Sequence, residues 1–224
     1  MNVLGLDGCR DGWIAVLWSG EEATAHFCAR IDEVQCFANI EAIAIDIPIG
    51  LSASGERLCD TLARRALPGR GCTVFNAPPR ACLQVVDDYE RANEISFTRG
   101  GKGLSRQSFG LLKKIEEVDD FLRVSTTPFF EVHPELCFVR LNAGVVLAPK
   151  KSWAGVITRQ RLLASEGIHL EEFVDRAARR AAPDDVLDAG VCAWTARRIL
   201  EGDVKCLPEH PDVDDTGREM CIRV

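Results

Sequence analysis

The chain has 224 residues, 46% of them hydrophobic, and a formal net charge of −7 at pH 7. That is enough apolar material to bury a substantial core, which excludes a mainly disordered chain. The acidic balance argues against a protein that coats nucleic acid nonspecifically through many Lys and Arg contacts to phosphate.

No apolar run reaches the roughly 18 residues a membrane helix needs. Met1-Asn2-Val3-Leu4-Gly5-Leu6-Asp7 has no basic segment followed by a cleavage site, so a cytoplasmic protein with no membrane partner is expected. The ten cysteines, at 9, 28, 36, 59, 72, 82, 137, 192, 206 and 221, show no C-x-x-C spacing, which leaves little support for zinc. Cys28, Cys36, Cys137 and Cys192 lie in apolar stretches where a thiol behaves as a small hydrophobe, and reduced thiols are expected.

Val3-Leu4-Gly5-Leu6-Asp7 reads as a first strand, and Gly8-Cys9-Arg10-Asp11-Gly12 as a tight connection to a second over 13–18, because Asp-Gly pairs are hairpin signals. A third strand is expected over 23–29, after the polar turn at Gly20-Glu21-Glu22. Ile31, Val34 and Phe37 or Ala38 recur at helical spacing and predict a short helix. It leads into Ala42-Ile43-Ala44-Ile45-Asp46-Ile47-Pro48-Ile49-Gly50, whose continuous apolarity suits a strand covered on both faces. Pro48 cannot donate to a ladder and ends it. Period-two geometry puts Ala42, Ala44 and Asp46 on one face and Ile43, Ile45 and Ile47 on the other, so Asp46 arrives at a sheet edge on the side of the smaller residues. The order predicts three antiparallel strands, a helix, and a fourth strand parallel to the first.

From 51 to 106 the pattern changes to helices over 56–67 and 87–97, separated by a loop over 68–79 and followed by a flexible Gly100-Gly101-Lys102-Gly103. This stretch carries nine Lys and Arg against six Asp and Glu. A locally basic segment within an acidic chain suggests an anionic ligand gripped at one place, and so long an excursion is usually functional. Next, Leu111, Ile115, Val118 and Leu122 form one buried helical stripe. A fifth strand over 127–133 ends at Pro134 with Phe129, Glu131 and His133 on one face. Helices are predicted over 152–165 and 170–181. A long one follows Pro183, with Asp184 as N-cap, and Gly202 stops it after Leu200. The tail is loop-like until 220–224, a candidate edge strand.

Four places now carry acids at element ends: Asp7, Asp46, Glu131, and the pair Asp185 and Asp188, which share a helix face. Ala189, Cys192, Ala193 and Ala196 on the same helix are small enough to let it press on a sheet and present those acids near the carboxyl ends of the strands. Gathered carboxylates repel one another unless a cation compensates. All-oxygen ligands suit Mg²⁺ or Mn²⁺, and the chemistry that uses such a cluster is phosphoryl transfer. Taken singly, Asp7-Gly8 is also a turn, Asp185 also a first-turn acid favoured by the helix dipole, and Glu131 also a partner for an arginine; the recurrence argues for a shared site. His133 is a candidate acid/base or a local hydrogen-bonding group. Lys150-Lys151-Ser152 is either a phosphate site at a helix start or a solvated basic turn.

An ordered set of motifs spans nearly the whole chain. It comprises Gly5-Leu6-Asp7-Gly8-Cys9-Arg10 with Gly12-Trp13, Asp46-Ile47-Pro48-Ile49-Gly50, Arg57 with Cys59-Asp60 and Ala63-Arg64, and Val74-Phe75 with Pro78 and Arg80. It continues with Gly103-Leu104-Ser105 and Gln107, Glu131-Val132-His133-Pro134-Glu135, Lys150-Lys151 with Gly155 and Arg159, and Asp185 with Asp188-Ala189. This set resembles an uncharacterised bacterial and archaeal family described as predicted nucleases of the ribonuclease H-like fold. The resemblance implies that acids on the first strand, the fourth strand and the last helix bind metal; here those are Asp7, Asp46, Asp185 and Asp188. The last two are similar in spacing to those of Holliday-junction resolvases of that fold. Asp11 departs from the family, which usually has Gly there.

The expected protein is therefore a single α/β domain over 1–224, ribonuclease H-like, with a mixed five-stranded sheet flanked by helices and a helical and loop insertion at about 51–106. The expected function is metal-dependent phosphodiester hydrolysis. Asp7, Asp46, Asp185 and Asp188 would hold Mg²⁺ or Mn²⁺, Glu131 and His133 would orient water or take a proton, and Arg10, Arg57, Arg64 and Lys151 would neutralise phosphate on a nucleic acid or small phosphate ester. Two alternatives stay open: a nucleotide-dependent phosphotransferase of the actin and sugar-kinase type, and a non-catalytic protein that binds an anionic ligand.

Overall fold

A computed structural model describes residues 1–170 and 180–224; the helix expected over 170–181 lies almost wholly outside them. In chain order the elements are β1 (Asn2–Cys9), β2 (Gly12–Trp18), β3 (Ala23–Cys28), β4 (Ile40–Ile45), α1 (Leu58–Arg65), α2 (Tyr89–Gly100), α3 (Arg106–Gly110), α4 (Leu112–Phe121), β5 (Phe129–Glu131), α5 (Pro134–Leu141), α6 (Trp153–Ser165), α7 (Pro183–Glu201), β6 (Cys206–Leu207) and β7 (Ile222–Arg223). The chain divides into two compact units. The first takes Met1–Asp46, Ser125–Lys205 and Arg223–Val224, and the second takes Ile47–Val124 and Cys206–Ile222. The stretch 51–106 lies within the second. Among the described residues no helix is long and apolar enough to cross a membrane.

The first unit is built on a mixed five-stranded sheet of order β3-β2-β1-β4-β5. β1 pairs antiparallel with β2, and because Cys9 faces Gly12 the hairpin turn is Arg10-Asp11 alone. β2 pairs antiparallel with β3, while β4 lies parallel to both β1 and β5. The apolar β4 is thus a central strand, as its sequence requires. Ala42 and Ala44 pack in one core with Ala189, Cys192, Ala193 and Ala196 of α7 and with Phe138 and Leu163.

Several elements differ from their sequence patterns for physical reasons. Residues 31–36 form a 3-10 turn, not an α-helix, since the chain turns extended at Phe37 before a full ladder can build. β5 keeps only three of the seven residues expected, confined between Pro128 and Pro134, although Val132 adds a parallel bridge to Arg223. The stripe expected at 111 and 122 lies one position inward, on Leu112, Ile115, Val118 and Phe121, because α3 ends at Gly110 and α4 starts afresh. Pro183 stands at the first helical position of α7, so Ala182 and not Asp184 is the N-cap. Reduced thiols were expected throughout, but the tail folds back so that Cys206 and Cys221, Cα atoms 6.0 Å apart, are joined as a disulfide. The other eight cysteines are free.

The second unit has a small core of Cys82, Ala92, Leu104 and Leu112 and a network of charges drawn from both of its segments. Arg80 donates to the Asp119 carboxylate at 3.0 and 3.1 Å and pairs with Asp214. Arg218 pairs with Asp119 as well, and Asp214 accepts from the Leu51 N–H at 3.0 Å. Burial alone would raise the Asp214 carboxyl, but hydrogen bonds from Thr216, Leu51, Arg218 and Arg80 outweigh it and hold the group well below its ordinary range.

Candidate functional site

Asp7 and Asp46 meet because β1 and β4 are parallel neighbours. The Asp46 N–H donates to the Leu6 carbonyl at 3.2 Å, which continues the β4 pairing by one residue and sets Asp46 beside Asp7. The Asp7 carboxylate also accepts from the next residue of β1, taking the Gly8 N–H at 2.8 Å. Asp188 arrives from the other layer. A Cβ at Gly5 would lie 2.1 Å from both the Ala189 carbonyl oxygen and the Ala193 nitrogen, so only glycine lets α7 sit this close on β1. Asp188 directly precedes Ala189 and comes down onto the strand ends with it.

The charges register the gathering. Burial pushes the Asp7 carboxyl well above its ordinary range, the charges of Asp46 and Asp188 push it further with a smaller push from Asp185, and Lys150 opposes them. Burial raises Asp46 to about 6 against the pull of Lys150. Asp188 is likewise raised to about 6 by burial, with Lys150 and Arg159 opposing and Asp46 adding. Asp185 is raised by burial and by Asp184. These are the responses of carboxylates taken out of water first and, at Asp7 and Asp188, crowded by one another second.

Lys150 supplies an ammonium that these carboxylates share. Its Nζ donates to Asp188 at 2.6 Å and stands 3.6 Å from Asp184, and those charges hold it protonated against burial. Its position comes from the loop before α6. Ser152 caps that helix, accepting from the Gly155 N–H at 3.0 Å and donating to the Pro149 carbonyl at 2.7 Å. A Cβ at Gly155 would fall 2.0 Å from the Pro149 oxygen. Fully buried Arg159 donates to the Ala148 carbonyl at 2.9 Å and to both Glu135 oxygens at 2.8 and 2.9 Å. A buried ion pair, with Arg159 Nη2 shared between both Glu135 oxygens and Nη1 on the Ala148 carbonyl, therefore anchors the loop that carries Lys150.

The other expected residues are distributed as follows. Asp185 accepts from the Ala182 N–H at 3.0 Å and so serves the start of α7. Glu131 is buried at the end of β5, opposite Ile45, and His133 is half-buried just before α5. Arg10, with Asp11, is exposed on the β1–β2 turn, and Lys151 is exposed. Arg57 and Arg64 belong to the second unit. Arg57 is buried against Asp60 at 2.5 Å and donates to the carbonyls of Ile49 and Gly50 at 3.1 and 3.0 Å; Arg64 donates to the Val74 carbonyl at 3.3 Å. The structure thus brings Asp7, Asp46 and Asp188 together, with Asp185 at their edge. Lys150 and Asp184 join them; no local pattern separates Lys150 from Lys151, and Asp184 has the signature of a cap.

Among the described residues no three His, Cys, Asp or Glu side chains are arranged to hold a metal ion, and Asp188 faces the Lys150 ammonium. The donor chemistry nonetheless fits a hard divalent cation. The donors are carboxylate oxygens, raised by burial and, at Asp7 and Asp188, by neighbouring acids, a condition that a bound cation would relieve. The nearby thiols are unsuited to ligation. Burial raises Cys137 to about 12, and it raises Cys192 strongly with Cys137, Asp46, Asp7 and Asp188 adding, so both stay protonated.

Fold and site define an α/β protein with a mixed five-stranded sheet, flanked by helices, that gathers buried carboxylates around a lysine at its strand ends. The chain belongs to the family described as protein of unknown function (DUF429), whose model matches residues 5–213. No curated protein and no solved structure matches the chain.

Proposed function

We propose that the first unit is a ribonuclease H-like, metal-dependent phosphodiester hydrolase. The observation that carries this is the gathering of Asp7, Asp46 and Asp188, residues distant in sequence, where β1, β4 and α7 meet beside Lys150. Asp7, Asp46 and Asp188, with Asp185 at the edge, would hold Mg²⁺ or Mn²⁺, which when bound supplies an activated water and stabilises the leaving oxygen. Lys150, in place of the exposed Lys151, is the cation that would turn from Asp188 toward an entering phosphate. Glu131 and His133, at the end of the strand beside β4, would orient a water or accept its proton. The overall acidity favours a small phosphate ester or a short single strand over a long duplex.

The pairing of Lys150 with Asp188 favours a second reading, a binding protein whose acids are already compensated. Calorimetry with Mn²⁺ separates the two. For the hydrolase, the parent binds Mn²⁺ and the Asp7→Asn and Asp188→Asn variants each lose binding, after which a panel of phosphodiesters identifies the substrate. A parent that binds no Mn²⁺ at millimolar concentration, or variants that bind as well as it does, would overturn the hydrolase.

A further inference from the structure

The second unit contains a cavity of about 210 Å³ lined by Glu56, Arg64, Asn76, Ser96, Lys102 and Ser108, among others. We infer that this cavity binds a small hydroxylated phosphomonoester, its phosphate held by Arg64 and Lys102 and a ligand hydroxyl by Asn76.

The charges inside the cavity point to an anion. Glu56 lies between the two cations. It accepts from Lys102 Nζ at 2.5 Å and from Asn76 Nδ2 at 3.0 Å, and Arg64 Nη1 stands 4.0 Å from its other oxygen. Three donors thus converge on one carboxylate, an arrangement that suits an oxyanion with Glu56 in its place. With one acid against two bases the group carries +1, so an entering anion meets a net attraction. A phosphomonoester has the second charge needed to draw both cations away from Glu56. Arg64 is the base whose planar fork matches phosphate, and its Nε is already oriented by the Val74 carbonyl.

Two further atoms favour a ligand with a hydroxyl. Asn76 Oδ1 and Arg64 Nη2 are buried and make no hydrogen bond among the described residues. Buried polar atoms are normally paired, and here one acceptor and one guanidinium donor both sit on cavity-lining side chains. A phosphate oxygen answers Arg64 Nη2, and a hydroxyl hydrogen answers Asn76 Oδ1. The walls are held by hydrogen bonds that ligand entry need not disturb: Ser96 Oγ donates to the Lys102 carbonyl at 2.9 Å, and the Leu104 N–H donates to Asn93 Oδ1 at 2.7 Å. The volume lies below the roughly 300–1,000 Å³ of sites for drug-sized molecules, which limits the ligand to the size of a sugar phosphate. The local excess of Lys and Arg over 51–106 then has a use inside its own unit.

The experiment is calorimetry on the full chain with inorganic phosphate and with ribose 5-phosphate. Chelator is present throughout, so that no metal at the carboxylates contributes. Saturable binding of both is expected, with ribose 5-phosphate the tighter. Lys102→Gln, a change at an exposed side chain that leaves the fold intact, and Arg64→Gln should each weaken both about tenfold or more. Asn76→Ala should reduce ribose 5-phosphate to the affinity of inorganic phosphate. Glu56→Gln should tighten both, because it removes the competing carboxylate, and Asp188→Asn should leave both unchanged. Three results would overturn the inference: no saturation at millimolar concentration, a Lys102→Gln variant that binds as the parent does, or weaker binding in Glu56→Gln.

Discussion

Replacing Asp46 by Asn should make the metal-free protein more stable at alkaline pH. The Asp46 carboxyl is raised by burial from 3.8 to about 6. Between those values the folded chain keeps a proton that the unfolded chain releases, so stability falls as pH rises through this window and the full cost is present above pH 6. At about 1.4 kcal/mol per pH unit the cost approaches about 3 kcal/mol. Because the side chain is only half-buried, screening reduces the expected gain to about 1–2 kcal/mol. Part of that gain comes through Asp7, which the Asp46 charge also raises. Urea unfolding in chelator at pH 8 should show a higher midpoint for the variant at unchanged slope, and at pH 4 the two proteins should nearly coincide. Millimolar Mn²⁺ at pH 8 should then stabilise the parent and not the variant. An Asp46→Asn variant no more stable than its parent at pH 8, or one equally favoured at pH 4, would refute the electrostatic account of the site.

Lys150→Met removes the ammonium shared by Asp184 and Asp188. It should cost about 1–3 kcal/mol at pH 8, and the cost should shrink at pH 5, where Asp188 takes up a proton; parallel urea curves at the two pH values read this. Arg159→Met leaves Glu135 charged and buried and should lose about 3–5 kcal/mol, most of it regained in the double variant with Glu135→Leu. Gly5→Ala should cost about 3 kcal/mol in urea unfolding, since the new methyl collides with the backbone of α7.

The sheet was legible because its signals are local. Asp11-Gly12 marks the first hairpin, while Asp7-Gly8, read as a turn signal too, lies inside β1; with the isoleucine-rich run and Pro48 the order of β1 to β4 requires Asp7 and Asp46 to share an edge. The small residues of α7 likewise foretold its close seat on β1 and hence the arrival of Asp188. What could not be read depends on long closures. Lys150 reaches Asp188 only because Arg159, Glu135 and Ser152 shape one loop. Arg80, Asp119, Asp214 and Arg218 find each other across as many as 134 residues, and nothing near Cys206 marks Cys221 as its partner. Arg57 had the look of a phosphate ligand, yet its neighbour in the fold is Asp60, three residues away and equally buried.

The second unit is assembled from two stretches, 47–124 and 206–222, separated in sequence by residues 125–205, and this bears on how the chain is made. Leu51 and Arg80 leave the ribosome long before Asp214, which accepts from both of them. Until residues 206–222 emerge, Arg80 and Asp119 have each other but lack Asp214 and Arg218, and the first unit too lacks α7 until residue 201 is synthesised. Neither unit can therefore be completed until late in synthesis. A chain stalled between residues 125 and 200 would expose the apolar faces of β1 and β4, which α7 covers in the finished protein, so synthesis arrest in that interval is where aggregation or chaperone capture should be sought.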